Sequence, residues 1–300
     1  MNILITGGTG LVGSRLTQLL LEKGHKISYL SRSKKNIPNV TVYEWNVNEG
    51  TIENAAIENA DVIINLAGAG VADSAWTSAY KKELYDSRIL GTKLLTKTLK
   101  DSKTHVKTFV QASAIGIYGL DTKDTWLAET AASGTDFLAT LTKDWEKEAE
   151  GIANLGIRLV KLRVGIVLSN KGGALKKLAL PVKLFVGAGL GSGNQYMSWI
   201  HIDDICNMFV EAVENQAFSG AYNGVAPTPV TNLQMTQTIA KVLHKPLILP
   251  NVPAFVLTMG MGEMSGIVLG GNKVAADKIK NTGFKFQFAD LEMALKNLLE

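Results

Sequence analysis

Seven residues near the start of the chain have the types and spacing to hold a phosphate. They are Gly7-Gly8-Thr9-Gly10-Leu11-Val12-Gly13, with glycine at every third position. Gly7 permits a tight turn, Gly10 lets backbone amides approach a pyrophosphate, and Gly13 lets a helix pack on the strand before it. Thr9, Leu11 and Val12 add the amides between them. Such a motif is specific only when a strand leads into it and a helix leaves it. Both are present. Ile3-Leu4-Ile5 is an apolar run of strand length, and Leu16, Leu19 and Leu20 share one helical face. Gly24-His25 ends that helix, and Lys26 to Leu30 starts a second strand. The helix N-terminus offers free N–H groups and a partial positive charge to an anion. A dinucleotide is the ligand that this arrangement implies.

The end of the second strand selects between dinucleotides. An acid there accepts hydrogen bonds from an adenosine ribose and repels a 2′-phosphate. This chain instead has Ser31-Arg32-Ser33-Lys34-Lys35. Arg32 can stack on adenine and pair with a 2′-phosphate, and the hydroxyls of Ser31 and Ser33 can donate to it. NADP is therefore expected rather than NAD; the bland alternative is a solvated basic loop. Asn46, at the end of the next strand (Val40 to Trp45), can donate and accept where an adenine would lie.

The elements that position these groups can be read in turn. Ile52 to Glu58 reads as a short helix, and Asp61 to Leu66 as a buried strand. Leu66-Ala67-Gly68 follows, with small residues that let a cofactor lie against the backbone. A long helix within Val71 to Lys100 contains Arg88, placed either to reach a cofactor phosphate or to remain solvated. Strand His105 to Gln111 leads to Ser113 and Tyr118, and Thr135 to Asn154 reads as a helix with Trp145 and Ala149 inward. Strand Ile157 to Arg163 follows. Asp203 or Asp204 is a plausible N-cap of the helix that runs to Asn215. Strands alternating with helices predict an α/β fold with a doubly wound parallel sheet. The pattern fades after Leu168, which suggests a dinucleotide-binding domain over 1–168, with 200–224 returning to it. Residues 169–199 and 225–300 would form a smaller, mostly helical substrate portion.

Composition sets further bounds. With 300 residues, 46% of them apolar and 19% charged, the chain can build a substantial core. Net charge is +4, and no Lys/Arg cluster is longer than Lys34-Lys35, so nucleic acid is not implied. The single cysteine, Cys206, excludes a disulfide framework and a cysteine zinc site, and the four histidines are scattered, so no metal is expected. Met1 leads straight into a strand with no basic leader, and a cytoplasmic protein is expected. Pro253 to Gly270 is the most membrane-like stretch. Glu263 and several glycines interrupt it, so it reads as a buried or lid-like helix, with no membrane expected as a partner.

Together these residues resemble the extended short-chain dehydrogenase/reductase superfamily. The resemblance rests on Gly7-x-x-Gly10-x-x-Gly13, Asn65-Leu66-Ala67-Gly68, Ser113 to Tyr118-Gly119, and Trp199-Ile200-His201-Ile202-Asp203-Asp204. Within it the chain is most similar to an atypical epimerase-family subgroup, nucleoside-diphosphate-sugar-epimerase-like, with a C-terminal domain of unknown function. The marks are Asn65 to Asp73, Trp76-Thr77, Ser87-Arg88-Ile89, Asp136 to Ala139, Trp145-Glu146, Arg163 to Leu168, and Gly283-Phe284-x-Phe286. The resemblance covers essentially the whole chain. It implies a Rossmann fold, NADP, hydride transfer at a carbonyl or carbinol carbon of a small molecule, and a monomer or homodimer.

One departure stands against that implication. Active members of the superfamily use a Ser with a Tyr-x-x-x-Lys on the following helix; the Lys lowers the Tyr pKa and the Tyr moves the proton. With Glu146 as anchor, this chain has Leu138 at the Tyr position and Thr142 at the Lys position. Lys143 is one residue, about 100°, away. Ser113 lies five residues before Tyr118 where four is commoner. The expected catalytic hydroxyls are Ser113 and Tyr118, the latter alternatively an aromatic packed at the sheet edge. His201 is either an acid/base or a structural histidine, and Lys143 and Arg163 either bind an anion or pack. A rival reading is a non-catalytic NADPH sensor; a third is an interaction module that uses the helix near Met259 to Met264.

Overall fold

The structure, a computed structural model, describes all 300 residues. Strand and helix alternate through the first half: β1 (Asn2–Thr6), α1 (Leu11–Glu22), β2 (Lys26–Ser31), β3 (Val40–Asn46), β4 (Thr51–Ile52), α2 (Ala55–Glu58), β5 (Val62–Asn65), α3 (Ser78–Asp101), β6 (Thr108–Ala114) and α4 (Phe137–Ala153). The main sheet has eight strands, in the order Gly220–Gly224, Arg158–Val164, β6, β5, β1, β2, β3, β4. β1 is parallel to β2 and β5, and the β2–β3 and β5–β6 pairs are parallel too. β4 is antiparallel to its neighbour β3. The expected α/β architecture is therefore present. From β1 the chain winds out to β2 and β3, then returns to the other side of β1 for β5 and β6. The carboxyl ends of β1 and β5 form the switch point, where open α/β sheets place their ligand crevice.

The strands read as apolar runs because both of their faces are buried. Ile3, Leu4, Ile5, Ile63, Ile64 and Phe109 have no solvent exposure. Leu4, Ile63 and Phe109 pack with Leu95 and Leu99 of α3 and with Ala149 and Ile152 of α4.

A polar network interrupts this core at the switch point. Thr6 is fully buried. Its hydroxyl donates to Asn65 Oδ1 at 2.6 Å and accepts from the amides of Leu66 and Ala67 at 3.1 and 3.0 Å. The Asn65 amide donates to Thr92 Oγ1 on α3 and to Gln111 Oε1 on β6. Thr92 Oγ1 also accepts from Trp145 Nε1 on α4 at 3.1 Å. One further strand and two helices are thereby tied to the ends of β1 and β5.

Two compact units divide the chain, the first comprising Met1–Ser113, Leu141–Arg163 and Cys206–Tyr222. The second comprises Ala114–Thr140, Val164–Ile205 and Asn223–Glu300. Taken by itself, the second holds a three-stranded sheet of Gly172–Gly173, Ile166–Ser169 and Trp199–His201. Its helix Asn232–Val242 packs on both Ala174–Lys183 and Leu291–Leu299. Thr231 and Gln234 form a capping box at the start of helix Asn232–Val242. No helix is long and apolar enough to cross a membrane.

Three expectations are corrected. Ile52 belongs to a strand, because Thr51-Ile52 folds back to pair with Asn46 and Trp45, and the helix is confined to Ala55–Glu58. Asp204 is not a cap: its carboxylate accepts from the amides of Gln287 and Phe288, at 2.7 and 3.0 Å. Pro253 to Gly270 is not a buried helix, because its principal segment, Ala254–Met261, buries none of its residues.

Thr6→Val keeps the shape of the side chain but orphans the Ala67 amide and Asn65 Oδ1, and leaves the Leu66 amide only the Thr6 carbonyl at 3.2 Å. We expect it to cost about 1–3 kcal/mol of stability, read as a lowered urea midpoint with an unchanged m-value.

Candidate functional site

The glycine loop joins β1 to α1 at the switch point. Gly7 has φ of +68°, and a Cβ on it would lie 2.9 Å from the carbonyl carbon of Leu66. A Cβ on Gly13 would come within 2.4 Å of the Gly7 carbonyl oxygen. The two glycines let β1, the start of α1 and the Leu66 segment approach this closely. Gly10 caps α1 with extended backbone and no side-chain hydrogen bond, and the first turn contains no acid. The first-turn amides of Leu11, Val12 and Gly13 therefore have no intrahelical acceptor. A Cβ on Gly10 would meet only the Gly7 oxygen, at 3.2 Å, so the space before the loop is open. Thr9 and Gly10 are exposed. Free donors, a helix dipole and open space together fit a pyrophosphate.

The facing loop, Leu66-Ala67-Gly68, is held by Thr6 on one side and Arg88 on the other. Arg88 Nη2 donates to the Ala69 carbonyl at 3.0 Å and Nη1 to the Leu84 carbonyl at 3.0 Å. Its guanidinium lies 5.2 Å from the Trp145 ring and close against Gly68, where a Cβ would meet its central carbon at 3.0 Å. Burial lowers the Arg88 pKa to about 10, so it stays charged at neutral pH. No carboxylate pairs with it. A desolvated cation without a counter-charge suits a bound anion.

At the end of β2, Arg32 is exposed and lines a cleft of about 390 Å³ with Trp45, Asn46 and Ile52. Glu44, Glu49 and Glu53 share that cleft. Two of these carboxylates are occupied: Glu44 accepts from the Lys34 amide, and Glu53 pairs with Lys34 Nζ at 3.3 Å. Ser31 Oγ accepts from the Ser33 amide at 3.5 Å. Asn46 Oδ1 accepts from the amides of Asn48 and Glu49, at 3.1 and 3.2 Å. Asn46 thus retains its NH2 group for a ligand but not its carbonyl, contrary to the expectation that it both donates and accepts.

The proton-handling candidates lie elsewhere. In the first unit Ser113 is buried and donates to Glu146 Oε1 at 2.6 Å. Arg163 grips the same carboxylate, Nε to Oε1 at 2.8 Å and Nη2 to Oε2 at 3.0 Å, and Lys161 Nζ stands 3.4 Å away. Burial pushes the Glu146 carboxyl up, but the hydrogen bond and charge of Arg163, with Ser113 and Lys161, outweigh it and hold the pKa below its ordinary value. Arg163 is therefore consumed by an internal pair, which removes it from the anion-binding candidates. In the second unit Tyr118 is buried, and its hydroxyl donates to Asn223 Oδ1 at 2.7 Å. Asn223 Nδ2 in turn donates to the carbonyls of Leu127 and Ala275. The packed-aromatic reading of Tyr118 describes this environment.

On α4, Leu138, Thr142 and Glu146 follow one another at helical spacing, and Lys143 is exposed. His201 is buried: Nδ1 accepts from the Asp203 amide, Nε2 meets Asn297 Oδ1 at 3.1 Å, and the ring stacks on Phe288 at 3.8 Å. The amide bond fixes Nδ1 as the bare nitrogen, leaving the proton on Nε2 for Asn297, so His201 is the structural histidine. No group of three or more His, Cys, Asp or Glu could hold a metal ion. Sequence reasoning used Glu146 only to align the helix and missed its pair with Arg163. The available signal was an acid on the inward face of α4 and an arginine within an apolar strand.

A parallel sheet with a glycine loop at its switch point is the nicotinamide-dinucleotide fold of short-chain dehydrogenases. Comparison with known proteins places the chain further. Residues 3–143 match the NAD dependent epimerase/dehydratase family, and residues 252–298 match a domain of unknown function, DUF1731. The chain is 40% identical over 301 residues to the epimerase family protein YfhF of Bacillus subtilis (strain 168), covering 100% of this chain and 98% of that protein. It is 37% identical to the epimerase family protein SAR0825 of Staphylococcus aureus (strain MRSA252), covering 99% of this chain and 98% of that one. The chain belongs to this epimerase family. Among solved structures, the human epimerase family protein SDR39U1 with NADPH superposes with a TM-score of 0.88 at 31% identity, covering 99% of both chains. The nucleoside-diphosphate sugar epimerase of Corynebacterium glutamicum gives 0.81 at 32%, covering 100% of this chain and 58% of that one. UDP-glucuronic acid 4-epimerase of Bacillus cereus, at 18% identity and a TM-score of 0.80, shares the fold.

The buried ion pair yields a pH-dependent prediction. Because the folded pKa of Glu146 is depressed, its stabilisation is complete above the ordinary value of 4.5 and fades as pH falls through the folded value. Arg163→Met should cost about 3–5 kcal/mol at neutral pH, since it strands a buried carboxylate. That deficit should shrink toward about pH 4, as the stranded carboxyl takes up a proton. Urea unfolding of both proteins at the two pH values measures it.

Proposed function

We propose that the chain binds NADP(H) and, in the manner of an oxidoreductase or epimerase, moves hydride at a carbonyl or carbinol carbon of a small molecule. The observation that carries this reading is the uncapped start of α1 behind Gly10, with open space and no acid in front of it. Amides of Thr9, Gly10, Leu11, Val12 and Gly13 hold the pyrophosphate. Arg32, with the hydroxyls of Ser31 and Ser33, takes the 2′-phosphate, and the Asn46 NH2 group donates to the adenine edge. Leu66, Ala67 and Gly68 form a flat backbone wall, and Arg88 behind it contributes positive potential. The NADPH in the human relative's structure supports the choice of NADP. The name of the Corynebacterium relative supports a nucleotide-sugar-like substrate. The cofactor, when bound, supplies the hydride chemistry. Ser113 already donates its proton to Glu146, so its oxygen is left to accept a hydrogen bond from a carbinol hydroxyl. Tyr118 is the second hydroxyl of this reading.

A second reading, an NADPH-binding sensor without turnover, is favoured by a specific observation. Both candidate hydroxyls donate internally, and α4 presents Leu138 and Thr142 where the acid/base pair would stand.

Arg32→Asp should weaken NADPH binding on the order of 10- to 100-fold, the worth of a charged hydrogen bond, and NADH binding far less. Fluorescence titration with both coenzymes decides this, and equal losses would defeat the assignment to the 2′-phosphate. Hydride exchange between NADPH and a panel of carbonyl compounds, lost in Ser113→Ala or Tyr118→Phe with NADPH binding retained, supports the enzyme. Tight binding with no exchange on any compound supports the sensor.

A further inference from the structure

Exposed apolar residues are concentrated in one part of the second unit. Of thirteen large hydrophobics that remain exposed in the chain, nine fall within 180–186 and 248–259. Ile248, Phe255 and Met259 are 73%, 66% and 83% exposed, and Leu184 is 62% exposed. The two segments are neighbours. The Val252 amide donates to the Gly189 carbonyl at 2.8 Å, and the Gly191 amide to the Val252 carbonyl at 2.9 Å. Lys245 Nζ lies 4.2 Å from the Phe185 ring. Helix Ala254–Met261 follows directly; it is apolar apart from Thr258 and buries no residue. An apolar face of this kind on a monomer marks an interaction site.

The charges on its own segments are of one sign, up to Glu263, which follows helix Ala254–Met261. Residues 171–200 and 225–262 contain six lysines and no Asp or Glu, in a chain with 27 acids overall; of the six, Lys241 is paired with Glu292 of helix Leu291–Leu299. On helix Ala174–Lys183, Leu175, Ala179 and Val182 are buried. Lys176, Leu180 and Lys183 have the same spacing on the outward side, so two lysines flank an exposed leucine.

We propose that this face docks onto the surface of an anionic lipid bilayer. Phe255, Met259, Ile248, Leu249, Leu184 and Phe185 enter the boundary between headgroups and acyl chains, while the lysines meet lipid phosphates. The charge pattern selects this occupant. A symmetric contact with a second copy would set the same lysines against one another. A bilayer supplies both an apolar layer and negative charge. Because the segments are short, they lie in the interface without spanning it.

Sedimentation of the full chain with vesicles tests this. The expected result is binding to phosphatidylcholine vesicles that contain phosphatidylglycerol, little binding to phosphatidylcholine alone, and release by high salt. Ile248→Ser/Phe255→Ser/Met259→Ser removes only exposed side chains and should weaken binding on the order of tenfold or more, with thermal unfolding and NADPH titration unchanged. Lys176→Glu/Lys183→Glu should do the same through charge alone. Failure of the wild-type chain to sediment with any vesicle would overturn the proposal, as would equal binding to both vesicle types. Vesicle binding that survives the serine substitutions would do so too. A concentration-dependent dimer dissolved by those substitutions, without vesicle binding, would assign the face to a second copy.

Discussion

The hydroxyl of Thr6 is the contact on which the rest of the crevice depends. It lies where β1 ends and the glycine loop begins, and it bonds to Asn65 and to the amides of Leu66 and Ala67. The Leu66 amide shares the hydroxyl with the Thr6 carbonyl, 3.2 Å away, whereas the Ala67 amide has left the sheet and relies on the hydroxyl. Buried backbone donors must be satisfied, and a threonine one strand away satisfies both. The same bonds bring the two loops together closely enough that Gly7 must lack a side chain. A phosphate-binding turn is useful only if its amides converge, and here that convergence is held by interior hydrogen bonds in a low-dielectric setting. Asn65 carries the constraint onward to α3, β6 and, through Thr92 and Trp145, to α4.

Two arginines, Arg163 buried and Arg88 half-buried, show how the same side chain is used in opposite ways. Arg163 is paired twice with Glu146, and the pair is closed by Ser113 and Lys161. Its charge is neutralised within the fold, and its effect is on stability and on the orientation of Ser113. Arg88 has only carbonyls and the face of Trp145 around it. Carbonyl dipoles and a ring lessen the cost of burying a cation but do not cancel its charge. Of the two, Arg88 alone projects unbalanced positive potential at the switch point, beside the loop that an anion would approach.

The fold was legible because its signals are local and periodic. The Gly7 to Gly13 spacing, the apolar run of β5 and the inward face of α4 each follow from one stretch of chain. The partners of individual side chains were not legible, because they depend on contacts across tens of residues. Asn46 reads as a free ligand group until the turn at Asn48-Glu49 takes its carbonyl. Arg163 reads as a spare cation until Glu146, on another element, is placed beside it. Tyr118, the preferred proton donor, and His201, the weaker candidate, both read as available until Asn223 and Asn297 are found bonded to them. The apolar face near Met259 was hidden in another way. Hydropathy predicts burial for such a run, and net charge averaged over the chain conceals a lysine-only region within it.

The replacements along α4 have a physical consequence beyond the loss of two groups. A tyrosine exchanges protons near neutrality only when a nearby cation lowers its pKa from about 10. With Leu138 and Thr142 on that face, neither the phenol nor the cation is present. The charge in line with Leu138 and Thr142 on the helix belongs to Glu146, and Arg163 keeps it ionised and committed. A carboxylate so held is a weak base, and a serine bonded to it is an acceptor rather than an acid. The face holds the Ser113 hydroxyl in place but carries no phenol and cation of the kind that shuttles a proton near neutrality. The glycine loop and this face of α4 are built by different residues, so the constraints of anion binding and of proton transfer are separable in this fold and free to change independently.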